Sequence, residues 1–262
     1  MLPMIRSELR KFFTTRLWWG MAIGIFVAGA AFALMFGLLF TTDAMTGPGM
    51  PAGDPVQIAN SVYVGGLGVG YLLLLTIGVL QIGGEYRHKT ISATFLATPR
   101  RVHALLAKAV ALVGIGVVYG LISLIGSVSV GAVVLGVRGQ EAFPSTEILR
   151  TLALSLLILG IWALIGLGVG ILIPNQVAAL LIAIGVAWIV EPLVGLGLTF
   201  WDWGAQYIGP YLPTAATNAI VNAVEQPGEV RLEWWGGLLV LTAYAVVLAG
   251  IGIWRATRED VS

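Results

Sequence analysis

Six long apolar stretches constrain the fold of this chain more than any other feature of its sequence. The hydrocarbon core of a bilayer is about 30 Å thick, and about 20 apolar residues in an α-helix cross it. The stretches that reach this length, called spans one to six, are 17–40, 61–83, 105–136, 149–173, 177–198 and 235–254. Only 10% of the residues are charged, against about 25% in soluble domains, which excludes a soluble globular enzyme. The sequence therefore predicts an all-α polytopic membrane protein with six transmembrane helices, forming one domain over 1–262.

The ends of the spans carry further information. Span three would be about 48 Å long as a helix, so it must tilt or project from the hydrocarbon; we expect its end at Lys108 to project into water. Only Pro174, Asn175 and Gln176 separate spans four and five. Proline breaks a helix, which predicts a tight helical hairpin there. Residues 41–60 are rich in Gly, Pro and Thr and are predicted to form a loop.

The distribution of basic residues predicts which side of the membrane each connection occupies. Most of the fourteen lysines and arginines lie before span one, between spans two and three, or after span six. They are Arg6, Arg10, Lys11, Arg16, Arg87, Lys89, Arg100, Arg101, Lys108, Arg255 and Arg258. Only Arg138, Arg150 and Arg231 fall on the other side. The positive-inside rule then predicts that both termini are cytoplasmic. A net charge of +1 gives no reason to expect a nucleic-acid partner.

Two segments outside the spans have patterns of their own. Residues 1–16 place Leu2, Ile5, Leu9, Phe12 and Phe13 on one helical face, which predicts an amphipathic helix at the membrane interface. A cleaved signal peptide is the alternative, but span one is much longer than a signal core of about 7–15 residues. The extracytoplasmic segment 199–234 is rich in Trp and Tyr, which favour the headgroup level. It forms either short helices that dip into the outer leaflet or an aromatic belt around an ordinary loop.

The sequence contains few residues that could form a catalytic, metal or nucleotide site. The chain has no cysteine, which excludes disulfides, thiolate metal sites and a cysteine nucleophile. Its two histidines, His88 and His103, lie in one polar stretch, so no metal site is predicted. The glycine cluster at 65–70 lies in an apolar span, and no Gly-Lys-Ser/Thr follows it. A nucleotide site needs that lysine, so no ATPase site and no cofactor are predicted in this chain.

Three residues within the spans are candidates for a pathway or an outer gate. Gly66 and Gly70 could form a hinge or a pathway wall, although small residues at such spacing also serve ordinary helix packing. Glu191 is the one carboxylate that could lie well within a span, where ionisable groups are functional hypotheses by default. It either lines a cavity or pairs with Arg150 or Arg138, or it is an interfacial residue that ends span five.

The stretch 82–108 carries a resemblance to a known family. It contains Glu85-Tyr86-Arg87, then Thr90, an apolar run through Phe95 and Leu96, then Thr98-Pro99-Arg100, and finally Lys108 in the next span. This order resembles the first cytoplasmic loop of ATP-binding-cassette (ABC) type-2 permeases. The start Ser7-Glu8-Leu9-Arg10-Lys11 and the run Tyr211-Leu212-Pro213-Thr214 are also similar to bacterial members. The topology agrees over nearly the whole chain, but the residue-level likeness rests mainly on 82–108.

The resemblance implies a role for the loop 84–104. In this family a coupling helix after span two docks on a separate nucleotide-binding ATPase subunit, which holds ATP and Mg. By this resemblance the coupling residues are Glu85, Tyr86, Arg87, Thr90, Phe95, Leu96, Arg100 and Arg101. An apolar patch beside charges suits insertion into a groove of a soluble partner. The alternative is that the cations here set topology and meet anionic lipid headgroups.

The sequence thus favours a permease subunit of an ABC exporter in the bacterial plasma membrane. The resemblance implies a second permease chain, identical or related, and surrounding lipids as further partners. A mainly apolar interior would suit a lipid-like or amphipathic, drug-like substrate. The main alternative is a membrane subunit with a structural or assembly role that transports nothing. An intramembrane enzyme is a third reading, and the spans lack the clustered polar groups that it would need.

Overall fold

A computed structural model describes residues 1–42, 54–90, 101–223 and 230–258, without the side chains of Arg101 and of 256–258. The described residues are helical and contain no strand. The α-helices, in chain order, are α1 Leu2–Phe13, α2 Leu17–Phe40, α3 Pro55–Val64, α4 Leu67–Arg87, α5 Arg101–Val137, α6 Glu147–Leu172, α7 Gln176–Gly185, α8 Glu191–Thr199, α9 Asp202–Tyr207, α10 Pro213–Val221 and α11 Trp234–Arg258. A π turn, Val186–Val190, joins α7 to α8, and a 3₁₀ turn, Gly209–Tyr211, precedes α10.

Six helical segments are long and apolar enough to cross a membrane, as the sequence predicts. They are Leu17–Phe40, Pro55–Arg87, Val102–Val137, Glu147–Leu172, Gln176–Thr199 and Trp234–Arg255. Span two consists of α3 and α4, and span five consists of α7, the π turn and α8. The all-α fold class and the presence of six helical segments that fit a multi-pass membrane protein are therefore confirmed.

Span two begins earlier than expected, so the loop predicted over 41–60 is wrong for its last residues. Helix α3 starts at Pro55, whose missing N–H costs nothing at the first helical position. The Asp54 carboxylate accepts a 2.7 Å hydrogen bond from the Gln57 backbone N–H, and the Gln57 side-chain oxygen Oε1 accepts one from the Asp54 backbone N–H. This capping box was readable in the sequence. Residues 43–53 of the predicted loop lie outside the described residues.

Helices α4 and α6 form the centre of the bundle. A Cβ atom added to Gly166 would lie 2.0 Å from the Leu75 carbonyl oxygen, and one added to Gly78 would lie 2.1 Å from the Ala163 carbonyl oxygen. Only glycine therefore permits this backbone approach. Helix α5 also crosses α6 closely, because a Cβ on Gly116 would lie 2.5 Å from the Gly160 Cα. Helices α2, α7, α8 and α11 lie around this centre and expose much of their apolar surface.

Two expectations about span ends have different outcomes. The hairpin is confirmed: α6 ends at Leu172 and α7 starts at Gln176. The Asn175 side chain caps α7 by accepting hydrogen bonds from the N–H groups of Val177 and Ala178. The expectation for Lys108 is wrong. Helix α5 does extend beyond Lys108, to Arg101, but α1 and α4 cover the lysine side chain, which is 3% exposed.

The segment after span five is helical in the part that the structure describes. Helices α9 and α10 flank the 3₁₀ turn, and α10 packs closely against α11, because a Cβ on Gly237 would lie 2.6 Å from the Ala216 carbonyl oxygen. Three exposed aromatic rings, Trp201, Trp203 and Tyr207, contact one another in series. The prediction of short helices over 199–234 thus agrees with the described residues, while 224–229 lie outside them.

Candidate functional site

Five polar side chains form one cluster where α1 meets the end of α4 and the start of α5. Glu8, Glu85 and Lys108 are buried in it, and Lys11 is half-exposed. We call Glu8, Lys11, Gln81, Glu85 and Lys108 the ion cluster. The Lys11 ammonium donates to Glu8 Oε1 at 2.7 Å and to Glu85 Oε1 at 2.8 Å. The Lys108 ammonium donates to Glu8 Oε2, and to Glu85 Oε1 at 3.1 Å. Gln81 adds a bond from its side-chain N–H to Glu8 Oε2, at 3.2 Å.

The periodicity of α1 places its two cluster residues against the bundle. Glu8 and Phe12 are four residues apart, hence on one helix face, and both are buried. The Phe12 ring meets the Tyr119 ring of α5 edge-on, with centroids 6.0 Å apart. Leu2 and Phe13, which share the predicted apolar face, are exposed. The apolar face of α1 is therefore divided between the protein core and the surroundings.

The charges of the ion cluster balance, since two carboxylates face two ammonium groups. Burial by itself would raise the pKa of Glu8, but Lys108 and Lys11 outweigh burial and hold that pKa below its ordinary value. Burial likewise opposes the charge on Lys11, yet its bonds to Glu8 and Glu85 raise the pKa of Lys11 above its ordinary value. Removing one partner of a buried ion pair leaves an uncompensated charge, which is strongly destabilising. The cluster therefore joins α1, α4 and α5 firmly.

The residues predicted for coupling occupy different positions. Glu85 is buried in the ion cluster, Tyr86 is half-buried, and Arg87 is exposed. The Thr90 N–H donates to the Glu85 carbonyl oxygen and the Lys89 N–H to that of Tyr86, with Lys89 at φ 54°. This is the Schellman arrangement that ends a helix, so Thr90 closes α4. Phe95, Leu96 and Arg100 lie outside the described residues, and Arg101 starts α5.

A groove opens beside the exposed end of α4. Its volume is about 470 Å³, and it lies between Tyr86 and Arg87 on one side and the hairpin residues 174–177 on the other. The last helix reaches the same end of the bundle, because the Arg255 guanidinium donates to the Leu172 carbonyl oxygen at 3.2 Å. The end of the bundle that carries α1 thus combines the ion cluster with a groove bordered by an exposed arginine. We call it the α1 end.

Glu191 lies near the opposite end of the bundle and is buried, 6% exposed. Its Oε1 atom accepts two hydrogen bonds from Thr214, from the backbone N–H at 2.5 Å and from the hydroxyl at 2.7 Å. Pairing with an arginine, one of the alternatives for Glu191, is not found among the described residues: Arg150 lies over the Trp234 ring, and neither it nor Arg138 forms an ion pair with Glu191. Within the described ranges, every ion pair belongs to the ion cluster.

Gly66 and Gly70 lie at helix contacts. Gly66 lies in the break between α3 and α4 as the N-cap residue of α4, and a Cβ there would lie 2.7 Å from the Gly29 Cα of α2. A Cβ on Gly70 would lie 3.2 Å from a Leu159 methyl carbon of α6. These contacts agree with the packing alternative, while a pathway role for either glycine stays a prediction.

Sequence reasoning missed Glu8, Gln81 and the structural role of Lys108. Each is a polar group in an apolar setting, and such groups inside a membrane protein pair with one another. Glu8 is the one acidic residue among the basic residues of α1, and Gln81 lies within span two. Because such groups need partners, their presence in apolar segments could have been used to predict a polar cluster. In the described ranges, no three metal-ligand side chains of the His, Cys, Asp or Glu type come together.

No protein-family model matches this sequence, and no curated protein matches it. The resemblance to ABC type-2 permeases therefore rests on the residues of this chain alone.

Proposed function

We propose that this chain is the membrane-spanning permease subunit of an ATP-driven ABC exporter in a bacterial plasma membrane. Its coupling loop, 84–104, would receive the motion of a separate nucleotide-binding subunit, which would hold ATP and Mg. A second permease chain would complete the pathway. The supporting features are six spans, a basic loop after span two, and the likeness of 82–108 to the family's first cytoplasmic loop.

The ion cluster is the observation that carries this proposal. Glu85 lies at the point where span two ends and the proposed coupling loop begins. Its Oε1 atom binds Lys11 of the N-terminal helix and Lys108 of span three. A displacement of the loop would therefore move α1, α4 and α5 together. A coupling element needs this property, because motion reaches the substrate pathway only through elements that are rigidly joined to it.

The docking surface would consist of residues other than Glu85. Because Glu85 is buried within its own chain, it acts as a positioning residue that fixes the start of the loop. Arg87 is exposed and borders the groove beside residues 174–177. A charged, exposed residue at a groove is suited to orient a partner. In this proposal α1 lies at the cytoplasmic interface, with its exposed Leu2 and Phe13 in lipid.

The composition of the spans supports the proposed substrate class. Their surfaces are apolar, with scattered serine, threonine and aromatic groups, which suits a lipid-like or amphipathic molecule. The helices between spans five and six would lie in the outer leaflet, because Trp201, Trp203 and Tyr207 favour the headgroup level.

The experiment co-expresses the chain with an ATPase subunit encoded beside it and purifies the pair in detergent. We expect the two to copurify and the pair to hydrolyse ATP. Arg87→Ala should lower hydrolysis several-fold or release the ATPase, because it removes an exposed contact without disturbing the ion cluster. Arg138→Ala is the matched control, since it removes an exposed arginine beyond the opposite end of α5.

Two results would overturn the proposal. If the folded chain binds no ATPase subunit, the structural or assembly role becomes the better conclusion. If Arg87→Ala and Arg138→Ala have equal effects on hydrolysis, the loop has no special role in coupling.

A further inference from the structure

The two halves of span five differ in how they pack against other helices. The first half, α7, packs on α4. The second half, the π turn and α8, has its main helix contact with the short α9. Most of its large side chains are exposed, among them Trp188, Leu193 and Leu196. In the part of the chain that the structure describes, the second half thus extends along the bundle with little packing on the long helices.

One narrow stripe of the second half faces the bundle. Ala187 and Glu191, four residues apart, are both buried, and Gly195 and Leu198 continue the stripe as half-buried residues. Within this stripe, Glu191 forms hydrogen bonds to α10: its Oε1 atom accepts two of them from Thr214. Thr214 follows Pro213, the first residue of α10, and proline has no N–H. The Glu191 carboxylate therefore binds the first free N–H of α10, where the helix dipole also favours a negative charge.

Helix α10 is itself fixed to the bundle. The Trp162 indole N–H of α6 donates to the Thr217 hydroxyl at 3.1 Å, and that hydroxyl donates to the Pro213 carbonyl oxygen. The close backbone approach at Gly237 joins α10 to α11. Glu191 thus connects a weakly packed helix to a firmly packed one.

We propose that the second half of span five, Val186–Thr199, is a hinged arm, and that Glu191 is the latch that closes this arm on α10. The π turn Val186–Val190 supplies the hinge, since a π turn followed by a proline interrupts the regular helical bonds. Opening the arm would separate α8 from α10 and uncover the face of the bundle between them. This inference goes beyond the proposed function, and no ATPase is needed to test it.

The absence of native cysteine makes the test direct. Spin labels on Leu193→Cys in α8 and Asn218→Cys in α10 report the distance across the latch by pulsed electron resonance in lipid nanodiscs. Labels on Val177→Cys in α7 and Asn218→Cys form the control pair, which spans the fixed half. We expect Glu191→Ala to add a population at longer distance for the first pair only.

Conservative variants separate a latch from a general loss of structure. Glu191→Gln keeps the acceptor oxygen and should open the arm less than Glu191→Ala. Thr214→Val removes the hydroxyl but keeps the N–H, and it should also have an intermediate effect. Combining Glu191→Ala with Thr214→Val should open the arm no further than Glu191→Ala alone, because both act on one contact.

The proposal is overturned if Glu191→Ala leaves the first distance distribution unchanged. It is overturned equally if both label pairs change together, since Glu191 would then support the whole bundle. If Glu191→Ala does not fold, Glu191→Gln and Thr214→Val provide the test. Label distances equal to those of the native chain in both variants would contradict the latch.

Discussion

The α1 end and the Glu191 end of the bundle both bury carboxylates, but they neutralise them differently. At the α1 end, Glu8 and Glu85 face two lysines, and every cluster residue bonds to more than one other group. At the other end, the described partner of Glu191 is the uncharged Thr214. One end is a network of balanced charges, while the other is a single carboxylate held by neutral donors.

This difference indicates which end is fixed. A buried charge that loses its counter-ion is costly, so the ion cluster resists any separation of α1, α4 and α5. A carboxylate held by neutral donors can exchange them for water at a smaller cost. We therefore expect the α1 end to move as one body and the Glu191 end to open and close.

Lys108→Met tests the fixed end with the largest expected effect. The substitution keeps an apolar stem but leaves Glu8 and Glu85 facing only the half-exposed Lys11. Breaking a buried ion pair in this way costs about 3–5 kcal/mol, so the thermal unfolding midpoint in detergent should fall strongly. Arg10→Met, which removes an exposed cation of α1, is the control and should have little effect.

A rescue variant distinguishes charge from packing in this prediction. Combining Lys108→Met with Glu8→Gln leaves one carboxylate, Glu85, beside one ammonium group, Lys11, and should recover part of the lost stability. If the double variant is less stable than Lys108→Met alone, the lysine stabilises the bundle through packing and not through charge.

The architecture was predictable from sequence because hydrophobic length determines which segments can cross a bilayer. The same property could not place the spans relative to one another. The most apolar windows of spans four and five have mean hydropathies of 2.5 and 2.4, yet they are 61% and 22% buried. The glycines of the two spans differ: a Cβ added to Gly166 would meet the backbone of Leu75, whereas one added to Gly185 would meet no neighbouring helix within 4 Å. Which glycines make such contacts depends on pairings between distant helices.

The candidate site was predictable only in part, for a related reason. The sequence pattern in 82–108 made Glu85 a candidate, but its hydrogen-bond partners are 74 and 23 residues away along the chain. No local pattern encodes such a pairing. Glu191 was recognised as an unusual charge in a span, but its partner Thr214 belongs to a short helix whose packing the sequence does not reveal.

Glu8→Gln is expected to have a smaller effect than Lys108→Met, because the lysine left in excess can be Lys11, whose half-exposed ammonium reaches water, whereas Lys108→Met leaves an excess charge on buried carboxylates. The loss of charge-assisted hydrogen bonds should cost roughly 1.5–3 kcal/mol at neutral pH. Its pH dependence follows from the lowered pKa of Glu8. The stabilisation is complete above the ordinary value of 4.5 and is lost as the pH falls through the lower value of the folded protein.

The measurement compares the unfolding midpoints of the native chain and Glu8→Gln between pH 7 and pH 3, with a buffer series at constant ionic strength. The gap between them should be constant down to about pH 5 and then shrink. A gap that keeps its size throughout this range would mean that the charge of Glu8 does not stabilise the cluster. Glu147→Gln, at the start of α6 and exposed, is the control for a carboxylate outside the cluster.

Tyr244→Phe addresses the opposite end and should have the smallest effect. The Tyr244 hydroxyl donates to the Tyr211 carbonyl oxygen at 3.2 Å, which ties α11 to the turn before α10. A neutral hydrogen bond contributes about 0.5–1.5 kcal/mol, and this one is exposed, so water can replace it. The unfolding midpoint should fall slightly. Tyr207→Phe, which removes the hydroxyl of an exposed tyrosine in α9, is the control and should not change it. A loss comparable to that of Lys108→Met would mean that the Glu191 end is held as firmly as the α1 end, and the proposed difference in mobility between them would be wrong.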